Sequence, residues 1–426
     1  MIRFILKGII RDRSRSLLPI IVVTIGVAIT VLLSGYINGV MNDFIEQNAR
    51  FETGHLKVVT RPYLENIDQI PNDLAIMDSD SVLKALKTNY KDVEWVERIK
   101  FGGLIDIPDS SGETRAQGPA AGMAINLINE TASINGDIER LNLKPALVEG
   151  RFPQNYGEVL LSRELMSKTD VKIGDQVTFI GSTMFGSMAL MNYKVVGSIN
   201  FGIQAMDRGL IIMDIVDARS LLDMENATSE ILGYFHSGYY DDERSEKLSL
   251  LYNSSIDPNN EFAPVIIPLK DQNELSGMLE YVNVYTVIFI SIFILAMSIV
   301  LWNTGLLGGL RRYREYGIRL ALGESKTKIY KTTILESLII GLIGSISGTL
   351  LGLAGVWYLQ TYGIDISDMM SNNAMIMSSV IRARVSSFLF VIGFIPGVIA
   401  TLSGSLLSGV GIFKRQTADL FKELEL

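Results

Sequence analysis

Apolar and polar positions sort this chain into long blocks. Residues 17–40, 283–307, 333–359 and 385–410 are apolar runs in which Glu336 is the one charged residue. At 1.5 Å per residue, each is long enough as a helix to cross a hydrocarbon core of about 30 Å. Between the first and second runs lies a polar block, 41–282, where short apolar stretches alternate with turn residues. The pattern predicts an α-helical membrane protein with four transmembrane helices and a large α+β extracytoplasmic domain between the first and second. Residues 308–332 and 360–384 form the shorter connections, and 1–16 and 411–426 the two ends. The first run is too long for the apolar part of a cleaved signal peptide, and no small-x-small site follows it.

Inside the polar block the period changes repeatedly. Residues 41–51 continue the first helix outward, and 55–60, after Gly54, read as a strand. Val82, Leu83, Leu86 and Tyr90 fall at helical spacing over 81–90. Residues 158–161, 193–199 and 209–213 read as strands and 172–179 as a turn and strand, with helices near 163–168 and 217–223. The segment from about 95 to about 145 reads as an inserted second lobe, giving the domain two lobes.

Charge sharpens the division. Of 38 Lys+Arg and 46 Asp+Glu overall, residues 41–282 hold 21 and 37, a net of −16. The remaining residues hold 17 and 9, a net of +8. The basic residues cluster at 1–16, 308–332 and 411–426, which places these segments and both termini in the cytoplasm. Residues 1–16, with Arg3, Lys7, Arg11, Arg13 and Arg15 among apolar neighbours, suit an amphipathic helix on the inner membrane surface. Basic clusters confined to the flanks of apolar spans argue against nucleic-acid binding.

Candidate chemistry is sparse. The chain has no cysteine and two histidines, His55 and His236, so it offers neither a disulfide nor a metal-binding cluster. It has no G-x-x-x-x-G-K-[ST] phosphate loop, G-x-S-x-G elbow or H-E-x-x-H motif, so no catalytic residue is expected. Ion-coupled transport normally needs carboxylates or histidines within the spans. Glu336 lies near a cytoplasmic edge and is expected to pair with a nearby Lys or Arg. Gly26, Gly35, Gly341, Gly344, Gly348, Gly352 and Gly355 permit close helix packing. Such a chain needs energy from a partner.

The stretch best placed to receive that energy is Arg311-Arg312-Tyr313-Arg314-Glu315-Tyr316-Gly317-Ile318-Arg319-Leu320-Ala321-Leu322-Gly323-Glu324-Ser325. As a helix it sets Glu315 one turn from Arg319, with Gly323 as its stop. Two readings fit: an anchor on the membrane surface, or a docking element for a cytoplasmic partner.

This stretch resembles the R-E-x-G-I-x-x-A-x-G-A-S-like signature of the MacB/FtsX-like ABC transporter permeases, nearest the lipoprotein-releasing (Lol-type, LolC/LolE-like) members. Ala146-Leu147-Val148-Glu149-Gly150-Arg151-Phe152, Gly157-Glu158-Val159-Leu160-Leu161-Ser162, Ile173-Gly174-Asp175-Gln176-Val177 and Val195-Val196-Gly197 followed by Asp207 are similar to that family's periplasmic domain. The resemblance implies a permease subunit in a bacterial cytoplasmic (inner) membrane, paired with a second identical or related permease and two copies of a cytoplasmic ATPase. ATP and Mg2+ would then be bound by the ATPase and no cofactor by this chain. It implies that Arg311, Arg314, Glu315, Gly317, Arg319 and Gly323 belong to the coupling helix seated on that ATPase. The implied activity is extrusion of a lipid-linked or amphiphilic substrate, above all lipoproteins, with MacB-type peptide or drug efflux and FtsX-type mechanotransmission as alternatives. The outer halves of spans one and two, with Val31, Leu32, Tyr36, Val40, Val287 and Ile290, are the expected substrate cavity in contact with membrane lipid. One Lol-type subunit holds a periplasmic lipoprotein carrier with a proline-bearing hook. The matching stretch here, 181–192, has no proline. Its Met184, Phe185, Met188 and Met191 are candidates for a partner contact, or for a buried hairpin tip.

Overall fold

The computed structural model describes residues 13–109, 111–128, 136–257, 259–272, 275–365 and 380–414. Helix α1, Arg13–Asn48, leads into a π-helical turn, Ala49–Thr53. Twelve strands follow: β1 Leu56–Thr60, β2 Ile76–Met77, β3 Val93–Pro108, β4 Thr114–Ile125, β5 Leu147–Gly150, β6 Glu158–Ser162, β7 Gln176–Ser182, β8 Met188–Ile199, β9 Leu210–Asp214, β10 Ala227–Thr228, β11 Glu230–Phe235 and β12 Pro264–Pro268. Helices α2 Ser79–Asn89, α3 Arg163–Thr169, α4 Ile215–Leu222 and α5 Asp242–Ser254 lie among them. Then come α6 Leu275–Ala321, α7 Lys326–Tyr362, the strand pair Ile364–Asp365 and Val380–Ile381, α8 Ser387–Ile392 and α9 Phe394–Lys414. The chain divides into a unit built on 43–278 and a unit built on 1–42, 279–365 and 380–426. Most of residues 1–16 and the tail after Lys414 lie outside the described residues.

The first unit is α+β, and a closed circuit of strands shapes it. The order β12-β1-β11-β3-β4-β9-β6-β8-β5 runs through the sheet, while β7 pairs with both β3 and β8. Strands β3, β4, β9, β6, β8 and β7 therefore form a ring. Phe101, Ile105, Phe179, Tyr193, Val195, Ile211 and Met213 are buried in one core with α3 and α4. A second layer sets Leu86 of α2 against Trp95, Leu56, Ile231 and Ile266 on β12-β1-β11-β3, with Leu248 and Tyr252 of α5 beside it.

The segment from about 95 to about 145, expected as an inserted lobe, is continuous with the sheet on either side of it. Strand β3 belongs to both halves: residues 93–98 pair with β11, and 99–108 pair with β4. Gly103 lets β7 approach, since a Cβ there would stand 2.4 Å from the Ile180 carbonyl oxygen.

The second unit is helical. Among the described residues three helices are long and apolar enough to cross a membrane: Leu17–Thr53, Lys326–Tyr362 and Ser387–Leu406. Helix α6 contains a further apolar stretch, Val284–Val300. Glycines set the helix contacts: Gly344, Gly348 and Gly352 of α7 meet Val23, Val27 and Val31 of α1, while Gly341 meets Thr401 of α9. Ser298 of α6 hydrogen-bonds Ser403 of α9 at 2.8 Å. The fourth apolar run is broken at Gly393, between α8 and α9 and three residues before Pro396. Proline has no N–H to offer Ile392 four residues back.

Candidate functional site

The basic stretch is not a separate short helix. It is the end of α6, which continues unbroken from the apolar stretch Val284–Val300 to Ala321. The termination is built from backbone chemistry. Gly323 has φ +89°, its N–H donates to the Leu320 carbonyl, and the Glu324 N–H reaches back to Arg319, both at 3.0 Å. This pair of bonds satisfies carbonyls the helix would leave open. Ser325, extended at φ −74° and ψ 146°, caps α7 by accepting from the Lys328 N–H. Two helices thus reverse across Gly323, Glu324 and Ser325.

Arg319 stands at this turn with Nε 2.6 Å from Glu324 Oε2, and Lys328 Nζ lies 3.4 Å from the other carboxylate oxygen. The Arg319 hydrogen bond holds the Glu324 carboxyl below its ordinary range. Ile318 and Leu322 are exposed, so the turn presents an apolar edge beside its charges. Glu324 and Ser325 were the local residues that helical spacing did not single out. The signal for Ser325 was a serine directly before a lysine-rich helical run. The side chains of Arg311, Arg314, Glu315 and Gly317 lie outside the described ones.

Of the residues at the outer ends of the first two runs, Val31 is fully buried against Gly352 and Gly393. Tyr36, Val40 and Ile290 are half-buried, and Leu32 and Val287 are exposed. In the β7–β8 hairpin, Met184 turns inward and its N–H donates to the Leu222 carbonyl at 2.9 Å. Met191 packs on the same core. Phe185 and Met188 are about three-quarters exposed, at 73% and 75%. Leu190, Ile180 and Leu104 stand opposite one another across β8, β7 and β3, with Leu104 and Leu190 exposed.

Residues 16–241 match the family described as MacB-like periplasmic core domain, and 287–417 match the family described as FtsX-like permease C-terminal. The first match alone spans more than half of the 426 residues. The chain belongs to the MacB/FtsX-like family of ABC transporter permeases. It is similar over 417 residues, at 25% identity and 96% coverage of each chain, to an uncharacterised ABC transporter permease of Methanocaldococcus jannaschii. It is 25% identical over 225 residues to the lipoprotein-releasing system transmembrane protein LolC of Xylella fastidiosa. That match takes in 51% of this chain and 52% of LolC, about half the length of each. Among solved structures, the periplasmic region of MacB from Actinobacillus actinomycetemcomitans aligns over 53% of this chain and 92% of its own, at 11% identity and a TM-score of 0.35.

A permease of this family implies an ATPase partner. The outer domain of this permease also holds a charged group that patterning did not reveal. Lys57 and Glu230, each about 1% exposed, lie 3.1 Å apart, and Lys100 Nζ reaches Glu230 at 3.3 Å and Glu52 at 2.6 Å. Burial opposes the charged form of Glu52, but Lys100 and Lys57 outweigh it and hold the carboxyl down at about 2. Burial pushes the Lys57 amine down, whereas Glu230 and Glu52 overcome burial at Lys100 and push it up. Removing one member strands a buried charge, at a cost of about 3–5 kcal/mol. These residues are spread over β1, β3, β11 and the π-helical turn, so no local motif marks them.

Proposed function

We propose that this permease couples ATP hydrolysis by a separate cytoplasmic ATPase to movement of its outer domain, and so extrudes an amphiphilic, lipid-linked substrate from the cytoplasmic membrane. In this reading four helices span the membrane, both termini are cytoplasmic, and two permease chains meet two ATPases. One observation carries the proposal: the apolar stretch Val284–Val300 and the basic stretch share one helix, ending at a tightly capped turn with exposed Ile318 and Leu322. A push on that turn acts along a continuous helix into the span. The near absence of ionisable residues from the apolar runs suits acyl chains, which need an apolar surface. The naming of the Xylella relative for lipoprotein release supports lipoproteins as the leading substrate.

The test is reconstitution of the permease and its ATPase in lipid vesicles. Release of acylated lipoprotein on addition of ATP is the expected result. Export of unacylated peptide without lipoprotein release favours efflux, and ATP hydrolysis unaffected by the permease overturns the coupling.

A further inference from the structure

We propose that Arg98 and Gln272 are positioning residues of a coupling joint, through which the outer end of α1 acts on strand β3. The proposal rests on the transporter reading above and names where, in the outer domain, motion is received.

The observations converge on the π-helical turn Ala49–Thr53. Helices commonly end on a glycine in the left-handed conformation, with their last carbonyls met by nearby N–H groups. Here the Gly54 N–H closes a wide turn to the Ala49 carbonyl at 2.8 Å, and the carbonyls of the turn are met by distant side chains. Arg98 Nη1 donates to the Phe51 carbonyl at 2.8 Å, and Nη2 donates to the Arg50 carbonyl at 3.3 Å. The Tyr234 hydroxyl donates to the Arg50 carbonyl at 3.3 Å. Gln272 Nε2 donates to the Thr53 carbonyl at 3.4 Å and to those of Ile267 and Pro268 at 3.2 Å. A π-turn is a known way for a helix to end, but here its carbonyls are held by side chains from β3, β11 and the segment before α6 rather than left to solvent.

The direction of these bonds matters. Helix carbonyls point along the axis toward the C-terminus, so a side chain bonded to them takes load along that axis. Arg98 receives it on β3, the strand that runs from the β11 side of the sheet into the strand ring. Gln272 lies on the segment leading into α6, and Leu269 and Leu275 beside it pack on Phe44 and Ala49. The chain therefore enters and leaves the domain at one stitched place. A fully buried guanidinium is also a costly way to finish a helix, and Arg98 Nε has no hydrogen-bond partner.

The experiment compares wild type, Arg98→Lys, Arg98→Met and Gln272→Leu as full chains with the ATPase in nanodiscs, reading ATP hydrolysis, substrate released and amide hydrogen exchange. Lys keeps the positive charge but not the two-pronged grip. Expected for all three variants is basal hydrolysis within twofold of wild type, at least a tenfold fall in substrate released per ATP, and faster exchange confined to 49–54. Arg98→Lys coupling as well as wild type would reduce Arg98 to charge balance and overturn the joint. Hydrolysis and release falling together, with faster exchange throughout the strand ring, would assign these residues to folding and overturn it as well. Wild type that fails to stimulate hydrolysis would overturn the transporter reading itself, whatever the exchange at 49–54.

Discussion

Arg319 Nε and Glu324 Oε2 lie 2.6 Å apart across the turn between α6 and α7. The pair is partly exposed, so it adds little to folding. Its value is geometric, fixing the turn that the coupling reading sets against the ATPase. Glu324→Ala should leave thermal unfolding nearly unchanged and lower permease-stimulated ATP hydrolysis severalfold. The exchanged pair Arg319→Glu with Glu324→Arg should recover part of that loss. Full stimulation in the single variant would remove the turn from the docking surface.

Gly317→Pro tests the continuity of α6. A proline there removes the N–H that bonds four residues back and crowds the preceding turn, at a local cost of about 3 kcal/mol or more. Helix α6 is unbroken across residue 317. Membrane insertion should persist while stimulated hydrolysis falls at least tenfold, as it should for Glu315→Lys, which leaves the backbone intact. Substrate-dependent turnover at wild-type rates in both would favour a surface anchor.

These contrasts also show what the residue pattern could reveal. The apolar runs were visible because they lack charge, and β6 and β9 because strands buried on both faces read as unbroken apolar runs. Strand β3 was not, since Gly102 and Gly103 look like a break until β7 is seen paired from Gly103 onward. Strand β4 was hidden too. It is rich in Gly and Ala, and Gly122 is there because the Phe101 ring occupies the space of a side chain. At the turn between α6 and α7, helical spacing directed Arg319 toward Glu315. The chain reversal at Gly323 brings Glu324 back to it instead, a contact that periodicity cannot express. The buried cluster around Glu230 was invisible for the same reason: it joins residues far apart in sequence.

The glycines of α7 should differ in tolerance. A Cβ on Gly348 would stand 2.6 Å from the Thr24 carbonyl oxygen and 2.7 Å from Val27 Cβ, so the helices must separate. A Cβ on Gly355 would meet only the Leu32 side chain, which can move. Gly348→Ala should destabilise by about 1–3 kcal/mol, the usual range for overpacking. Gly355→Ala should be neutral, or stabilising by up to about 1 kcal/mol through helix propensity. Thermal unfolding in one detergent compares them, and equal shifts would mean that α1 and α7 do not pack through Gly348.

The β7–β8 hairpin separates a structural residue from a free one. Met184 fills the core, and Met184→Ala should cost about 2–5 kcal/mol. Phe185 is largely exposed, so Phe185→Ala should change stability by no more than about 0.5 kcal/mol. If the tip contacts an extracytoplasmic partner, Phe185→Ala also lowers partner-dependent substrate transfer at unchanged ATP hydrolysis. Unchanged transfer with Phe185→Ala and Met188→Ala combined would leave the tip without that role.

His55 gives the outer domain a defined acid sensitivity. Its Nδ1 accepts the Phe235 N–H at 3.0 Å, and its ring packs among Tyr234, Phe235 and Tyr240. Burial holds its pKa down at about 4, against an ordinary 6.5. Between these values the unfolded chain takes up a proton that the folded chain refuses. The stabilisation is therefore complete above pH 6.5 and is lost as pH falls toward 4, at up to about 1.4 kcal/mol per unit. Glu52, held at about 2 against an ordinary 4.5, contributes in a lower window: its stabilisation is present above 4.5 and fades below it. The two separate by mutation. His55→Gln should flatten the fall in unfolding temperature between pH 6.5 and 4.5 and leave the steeper loss below 4.5 intact. A wild-type profile that is flat from pH 6.5 to 4.5 would mean that His55 is protonated in the folded chain, with its ring no longer accepting from Phe235.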